Sequence, residues 1–172
     1  MSLTFRRDPQ VTPELREEFF RLWYDVSRAG GAVGFVASVT EEEVRAATEV
    51  QIGRVVAGEH RMLAAYEDGR LAGTTFLRLN PDFKMRHWAM VVLVMVDPGL
   101  QGGGHGLRMM EETVEMAREA GLEALRLEVR GGTGVEHFYE RNGFKEVGRV
   151  PAGLRLAADD YRDDILMWLP LD

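Results

Sequence analysis

The stretch Val96 to Gly121, VDPGLQGGGHGLRMMEETVEMAREAG, constrains this chain more than any other. Gly102, Gly103, Gly104 and Gly106 fill four of five positions, and a run of helix formers follows at once. A helix N-terminus leaves its first N–H groups unpaired and carries the positive end of the helix dipole. Bare backbone beside it admits an anion to close range, so the pattern points to a phosphate or pyrophosphate. A Walker A loop requires Lys-Ser/Thr after its last glycine, whereas His105-Gly106 follows Gly104. A dinucleotide fingerprint requires a third glycine three residues after the second, and the two registers put Leu107 or Met109 there. Both readings fail.

The rest of the chain alternates between two periods. TFRRD near the start reads as a short strand. Thr12-Pro13-Glu14 offers a cap, a first-turn proline and an acid, and Leu15, Phe19, Leu22, Trp23 and Val26 then recur at helical spacing. Glycines in AGGAVG stop that helix. Thr40 and Glu43 form a capping-box pattern that opens a second helix, with Val44, Ala47, Thr48, Ile52 and Val55 along one side. MLAAYEDGRLAGTTFLRL reads as a hairpin turning at Glu67-Asp68-Gly69-Arg70. HWAMVVLVMV is apolar enough for the centre of a sheet. After the glycines, Leu107, Met110, Val114 and Ala117 mark a buried helical stripe ended by Gly121. LEALRLEVR alternates as a strand, and GVEHFYERNGF is a short helix ended by Asn142-Gly143. KEVGRV and DILMWLPL close the chain as strands separated by an acidic loop. The order is β-α-α-β-β-β-α-β-α-β-β. The expected fold is one α/β domain over residues 1–172, a mixed, mostly antiparallel sheet of about seven strands with helices on both faces.

Composition narrows the function. A chain of 172 residues with no cysteine excludes disulfide frameworks, thiolate catalysis and Cys-based zinc sites. The formal net charge of −7 opposes a nucleic-acid partner. The longest apolar run, Ala89 to Val96, is far short of a membrane span, and the N-terminus lacks the apolar core of a secretory signal. A cytoplasmic protein is expected. His60, His87, His105 and His137 lie apart without metal-ligand spacing, so no metal is assigned.

Gln101-Gly102-Gly103-Gly104-His105-Gly106 resembles the Q/R-x-x-G-x-G/A loop of the GNAT superfamily of acyl-CoA N-acyltransferases. The context agrees, with an apolar strand before the loop and an amphipathic helix after it. His137-Phe138-Tyr139-Glu140-Arg141-Asn142-Gly143-Phe144 is similar to that family's F/L-Y-E-x-x-G-F segment, and the likeness runs from about Trp88 to Val150. The segment from Phe138 onward is loosely similar to the tabtoxin-resistance branch, whose members acetylate small amines. The resemblance implies acetyl-CoA as co-substrate, its pyrophosphate held by backbone N–H groups from Gly102 to Leu107, with Gln101, Gly103, Gly104, His105 and Gly106 in the same loop. It implies that Val94 and Val96 pair, strand-like, with the pantetheine arm. Homodimerisation, common in that family, is carried as an expectation.

Acyl transfer from a thioester to an amine poses three problems: removing an amine proton, stabilising an oxyanion and releasing a thiolate. A lysine-like amine has a free pKa near ~10.4 and a thiol near ~8.5, so both proton steps gain from help at neutral pH. A backbone N–H on the central strand, that of Val94, suits the oxyanion. By resemblance Tyr139 is the general acid at the CoA sulfur; its alternative is a core aromatic. The acidic residue that many family members carry near the start of the fourth strand falls at Met90, which accepts no proton. His87 at the strand entrance and Glu128 on the next strand are the alternative bases. An exposed strand-end histidine and a solvated sheet face are their plainer readings, and a water chain is a further option. Asp159, Asp160, Asp163 and Asp164 either attract a cationic amine or simply solvate a loop. The expected activity is N-acetyl transfer to a primary amine of a small molecule by direct attack in a ternary complex. The rival reading is a catalytically degenerate acyl-CoA-binding sensor or regulatory subunit.

Overall fold

The structure, a computed structural model, describes residues 2–172. Its elements are β1 (Thr4–Arg7), α1 (Pro13–Arg28), α2 (Glu41–Val56), β2 (His60–Glu67), β3 (Arg70–Leu79), β4 (Trp88–Val96), α3 (His105–Glu119), β5 (Ala124–Arg130), α4 (Val135–Arg141), β6 (Lys145–Ala157) and β7 (Asp160–Pro170). The order matches the sequence reading. The strands form one seven-stranded sheet in the order β1-β2-β3-β4-β5-β7-β6. Only β4 and β5 run parallel; every other neighbouring pair is antiparallel.

Local chemistry starts and stops these elements. The Thr12 hydroxyl accepts from Leu15 N, and Thr40 with Glu43 completes a reciprocal capping box. Asp68 and Gly69 turn the β2–β3 hairpin with φ of 48° and 79°. One face of the sheet packs Met62, Ala64 and Phe76 under α1 and α2. The opposite face packs Leu63, Leu77, Leu125, Leu127 and Met167 under α3 and α4. Alternation along each strand thus feeds two cores. At Gly73 a Cβ would stand 2.6 Å from Met109 Sδ and 2.8 Å from Met95 O. Only a glycine lets α3 lie this close to β3, which seats the N-terminus of α3 beside the end of β4.

Two expectations need correction. The buried residues of α3 are Met109, Met110, Thr113, Met116 and Ala117, while Leu107 is 45% exposed. The stripe is turned by about one residue because Leu107 lines a cavity instead of the core. The closing strands are longer than KEVGRV and DILMWLPL, and the acidic loop between them is only a tight turn at Ala158 and Asp159. Asp160, Asp163 and Asp164 all belong to β7. Register shifts in β6 between Val150 and Leu154 absorb the Pro151–Gly153 segment, and Asp163 Oδ1 accepts from Ala152 N at 3.0 Å to hold it. Pattern reading loses such a strand because β6 is exposed along most of its length and shows no apolar alternation.

A buried polar pair closes the lower end of the sheet. Gln51 and His60 are 3% and 4% exposed, with Gln51 Nε2 and His60 Nδ1 2.9 Å apart. Burial first, then the charges of Arg54 and Arg78, lower the imidazole to about 4 from an ordinary 6.5. The unfolded chain therefore takes up a proton near pH 6.5 that the folded protein refuses until about pH 4. Stability is full above that window and is lost as pH falls through it, by about 2 kcal/mol after discounting for partial solvent screening. Urea midpoints measured across the window check this, and His60→Gln is expected to flatten the slope.

Candidate functional site

The site begins where β4 and β5 part company. They pair in parallel at Trp88–Ala124, Ala89–Leu125 and Met90–Arg126, and then pairing stops. β4 continues to Val96 and β5 to Arg130, so a wedge opens between two central strands. Val92, Leu93 and Val94 are only half-buried in mid-strand as a result. At the same place β4 bulges against β3: Phe76 faces Val92, but Thr74 faces Met95. Leu93 adopts φ of 51°, a left-handed backbone that is strained for a leucine. The Thr74 hydroxyl donates to Leu93 O at 3.2 Å and holds the kink. The bulge leaves Leu93 and Val94 outside the β3–β4 register and bends β4 at this point.

The glycine loop lies at the mouth of this wedge. Asp97 starts it by accepting from Gly99 N at 2.8 Å. The Gln101 side chain donates back to Val96 O at 3.2 Å, tying the loop to the strand end. That bond occupies the Val96 carbonyl, and Val96 also pairs with Gly73. Among the described residues, the N–H groups of Gly102, Gly103, Gly104, His105, Gly106 and Leu107 donate to no protein acceptor; the first such bond is Arg108 N to Gly104 O. No acid stands in the first turn of α3. A Cβ at Gly102 or Gly104 would meet nothing within 4 Å, so both positions face open space. His105 Nδ1 is buried without a partner. A cavity of about 420 Å³ lies against the loop, lined by Val96, Leu100, Leu107, Phe138, Arg141 and Asn142 among others. Six consecutive free donors, a helix dipole and an open apolar cavity fit a pyrophosphate with an organic tail.

Tyr139 sits in α4 on the other side of the wedge. It is 8% exposed, held edge-on between Phe138 and Phe144 at centroid distances of 5.0 and 5.8 Å. Its hydroxyl bonds to no other described residue. Burial pushes the phenol above its ordinary pKa, so it stays protonated at neutral pH.

A second cavity, of about 580 Å³, opens beyond the wedge between the α1–α2 connection, β5, β6 and β7. Trp23 Nε1 donates to Val33 O at 2.8 Å and Arg130 Nη2 to Phe35 O at 3.1 Å. These two bonds drape the connection over β5 as one wall. Glu128, Arg130, Arg155 and Asp164 supply its charges. Arg126 Nη2 takes one Glu128 oxygen at 2.8 Å. Asp163 and Asp160 are engaged by Arg149 and Arg162, but Asp164 has no such partner among the described residues. Burial raises the Asp164 carboxyl first and Glu128 raises it further, against the pull of Arg126.

The structure gathers Val96 and the loop from Gln101 to Leu107 around one cavity, with Phe138 beside Tyr139 on its α4 side, and places Glu128 in the second cavity with Asp164. It does not bring His87, which is exposed below the first residue of β4, to either. At a strand rise of about 3.3 Å per residue, His87 stands roughly 30 Å along the strand from Val96, where the glycine loop begins. Met90 is 7% exposed at the root of the wedge. Asp164 was hidden from sequence reasoning because it looked like one acid in a loop; only a β7 running back to Asp160 reveals its inward face.

A family model, Acetyltransferase (GNAT) family, matches residues 35–144, which contain the wedge, the glycine loop and Tyr139. The chain belongs to the acetyltransferase (GNAT) family. This makes it kin to acyltransferases. A mycothiol acetyltransferase from Propionibacterium freudenreichii is 34% identical over 96 residues, or 53% of this chain and 30% of that relative. The chain thus spans under a third of the length of this curated relative. Among solved structures, a GNAT-family protein from Desulfovibrio desulfuricans is 24% identical and superposes with a TM-score of 0.78, covering 99% of this chain and 100% of its own. An acetyltransferase from Salmonella typhimurium, solved with its cofactor acetyl-CoA, is 18% identical with a TM-score of 0.77 over 100% of this chain and 95% of its own. Both establish the GNAT fold. No helix among the described residues is long and apolar enough to cross a membrane.

Proposed function

We propose that this GNAT protein is an N-acetyltransferase that moves an acetyl group from acetyl-CoA to a primary amine of a small molecule, by direct attack in a ternary complex. The observation that carries the reading is the row of free N–H groups from Gly102 to Leu107 at the mouth of the β4–β5 wedge. Those groups hold the pyrophosphate, and Val94 and Val96 guide the pantetheine arm into the wedge. The thioester supplies an activated acetyl carbon there. Val94 N–H faces the oxygen on which charge develops. Tyr139, protonated at neutral pH, donates to the departing thiolate.

The amine proton goes to the carboxylates of the second cavity. One Glu128 oxygen is already held by Arg126. Asp164, without a cation partner and with its proton affinity raised, is the better base. Glu128 and Asp164 together draw a cationic amine inward, and a cavity of about 580 Å³ suits a small molecule.

The test is CoA release from acetyl-CoA followed with a thiol reagent over a panel of amines; the cysteine-free chain gives no background. Amine-dependent release is expected, and Asp164→Asn should lower kcat/KM about 100-fold at neutral pH. Part of that loss should return at higher pH, where more of the amine is already deprotonated. Glu128→Gln should act mainly on the KM of the amine. Saturable acetyl-CoA binding without release from any amine would instead favour a degenerate acyl-CoA sensor.

A further inference from the structure

At the opposite end of the sheet from the glycine loop, the end of α2, the start of β2 and the end of β3 surround a cavity of about 740 Å³. Arg54, His60, Arg78 and Asn80 line it, with Glu59 as the acid. His60 is 4% exposed. The Gln51 amide nitrogen 2.9 Å from its Nδ1 can only donate, so Nδ1 accepts and the imidazole proton resides on Nε2. That Nε2–H finds no acceptor among the described residues.

The charges around it share one sign. Arg54 and Arg78 both act on the imidazole strongly enough to help hold it neutral. Neither guanidinium has a carboxylate within 4.0 Å among the described residues, Glu59 included. Asn80 spends its amide N–H groups on Met85 O and Trp88 O, at 3.1 and 2.8 Å, which fixes the floor. Arg54 stands in the last turn of α2, where the helix dipole offsets only part of its charge. The carbonyls of that turn at Gly53, Arg54 and Val55 already accept from Ala57, Glu59 and Gly58. In a chain of net charge −7, two guanidiniums without a carboxylate partner, beside an imidazole N–H that opens onto the cavity, form a local inversion of charge.

The geometry points to a second binding site here, one that takes a small-molecule oxyanion, a carboxylate or a phosphate group, between Arg54, Arg78 and His60 Nε2–H. Fork-shaped guanidinium donors suit the two oxygens of either group, and the imidazole N–H supplies a third, fixed direction. The site connects to the wedge through one contact. Arg78 Nη2 lies 3.0 Å from Met90 Sδ, and Met90 forms the last β4–β5 rung before the strands separate. An anion that draws Arg78 toward itself acts on the root of the acyl-transfer cleft. The proposal is independent of which amine that cleft accepts.

The test is a titration of the full chain at constant ionic strength with inorganic phosphate and, separately, with acetate, read at the His60 imidazole nitrogens by 15N NMR. Phosphate binding at the glycine loop is resolved by the separate amide signals of Gly102 to Leu107. A saturable His60 response is expected for at least one of the two anions, and the tighter of them identifies the group recognised. Arg54→Gln and Arg78→Gln should each weaken it about tenfold, as expected for one lost charged hydrogen bond. Glu59→Gln should tighten it by removing the opposing charge. Arg54 and Glu59 are exposed, so their variants keep the fold. A His60 response that stays linear for both anions, or one whose midpoint moves in neither arginine variant, overturns the site.

Discussion

Gly104→Val is expected to weaken acetyl-CoA binding about 100-fold, the loss of roughly two charged backbone hydrogen bonds, while the protein remains folded. Gly104 is the N-cap of α3 with φ of 77°, and a Cβ there would project into open space, not into protein. Nothing in the fold opposes a larger residue sterically; a bound pyrophosphate would. A β-branched residue in this conformation also costs about 1–2 kcal/mol of backbone strain, which the loop relieves by rotating away from φ > 0. That rotation turns the free N–H groups of His105 and Gly106 off a common centre. Calorimetric titration with acetyl-CoA reads the binding, and a thermal melt reads the strain. Gly104→Ala should fall between wild type and valine, because it adds a Cβ without branching. Unchanged acetyl-CoA affinity in Gly104→Val would remove the glycine loop from the binding account.

Tyr139→Phe is expected to lower kcat about 100-fold with little change in the KM for acetyl-CoA or in stability. The separation follows from the surroundings of the ring. Phe138, Phe144 and the α3–α4 core hold the aromatic body, and phenylalanine preserves those contacts. The hydroxyl bonds to no described residue, so its deletion orphans nothing in the protein. What disappears is one donor for a thiolate that forms only as the thioester breaks, and such a loss falls on kcat. The defect should shrink for acyl donors whose leaving thiol is more acidic, because a weaker base needs the donor less. An equal fall in stability and kcat would mark Tyr139 as a packing residue alone.

Much of the fold was legible because local rules and tertiary demands agree. Thr12-Pro13 and Thr40 with Glu43 favour a helix start through bonds that span only three residues, and Asp68-Gly69 turns a hairpin by its own backbone preference. The glycine loop was legible for a related reason. Four glycines in five positions next to a helix start describe a surface of bare N–H groups before any coordinate is known. β6 and β7 were legible only in part. An edge strand exposed along most of its length has no buried face to impose alternation, so its middle reads as loop.

The sequence by itself determined the order of elements, the bare glycine-rich start of α3 and the family, because each rests on contacts within a few residues. Tertiary structure decided which side chains share a cavity. His87 and Val96 bracket one strand, yet a rigid extended backbone keeps them at opposite ends of it. Glu128 and Asp164 are far apart in the chain, yet the pairing of Arg130 with Asp164 sets both carboxylates on one wall of the same cavity. The wedge itself depends on β4 and β5 separating after Met90, and the cationic cavity on Arg54, His60 and Arg78 arriving from three elements. Strand register and separation are settled by packing across the whole sheet. A one-residue slip would exchange the faces of every side chain involved, and no local window of sequence records which register wins.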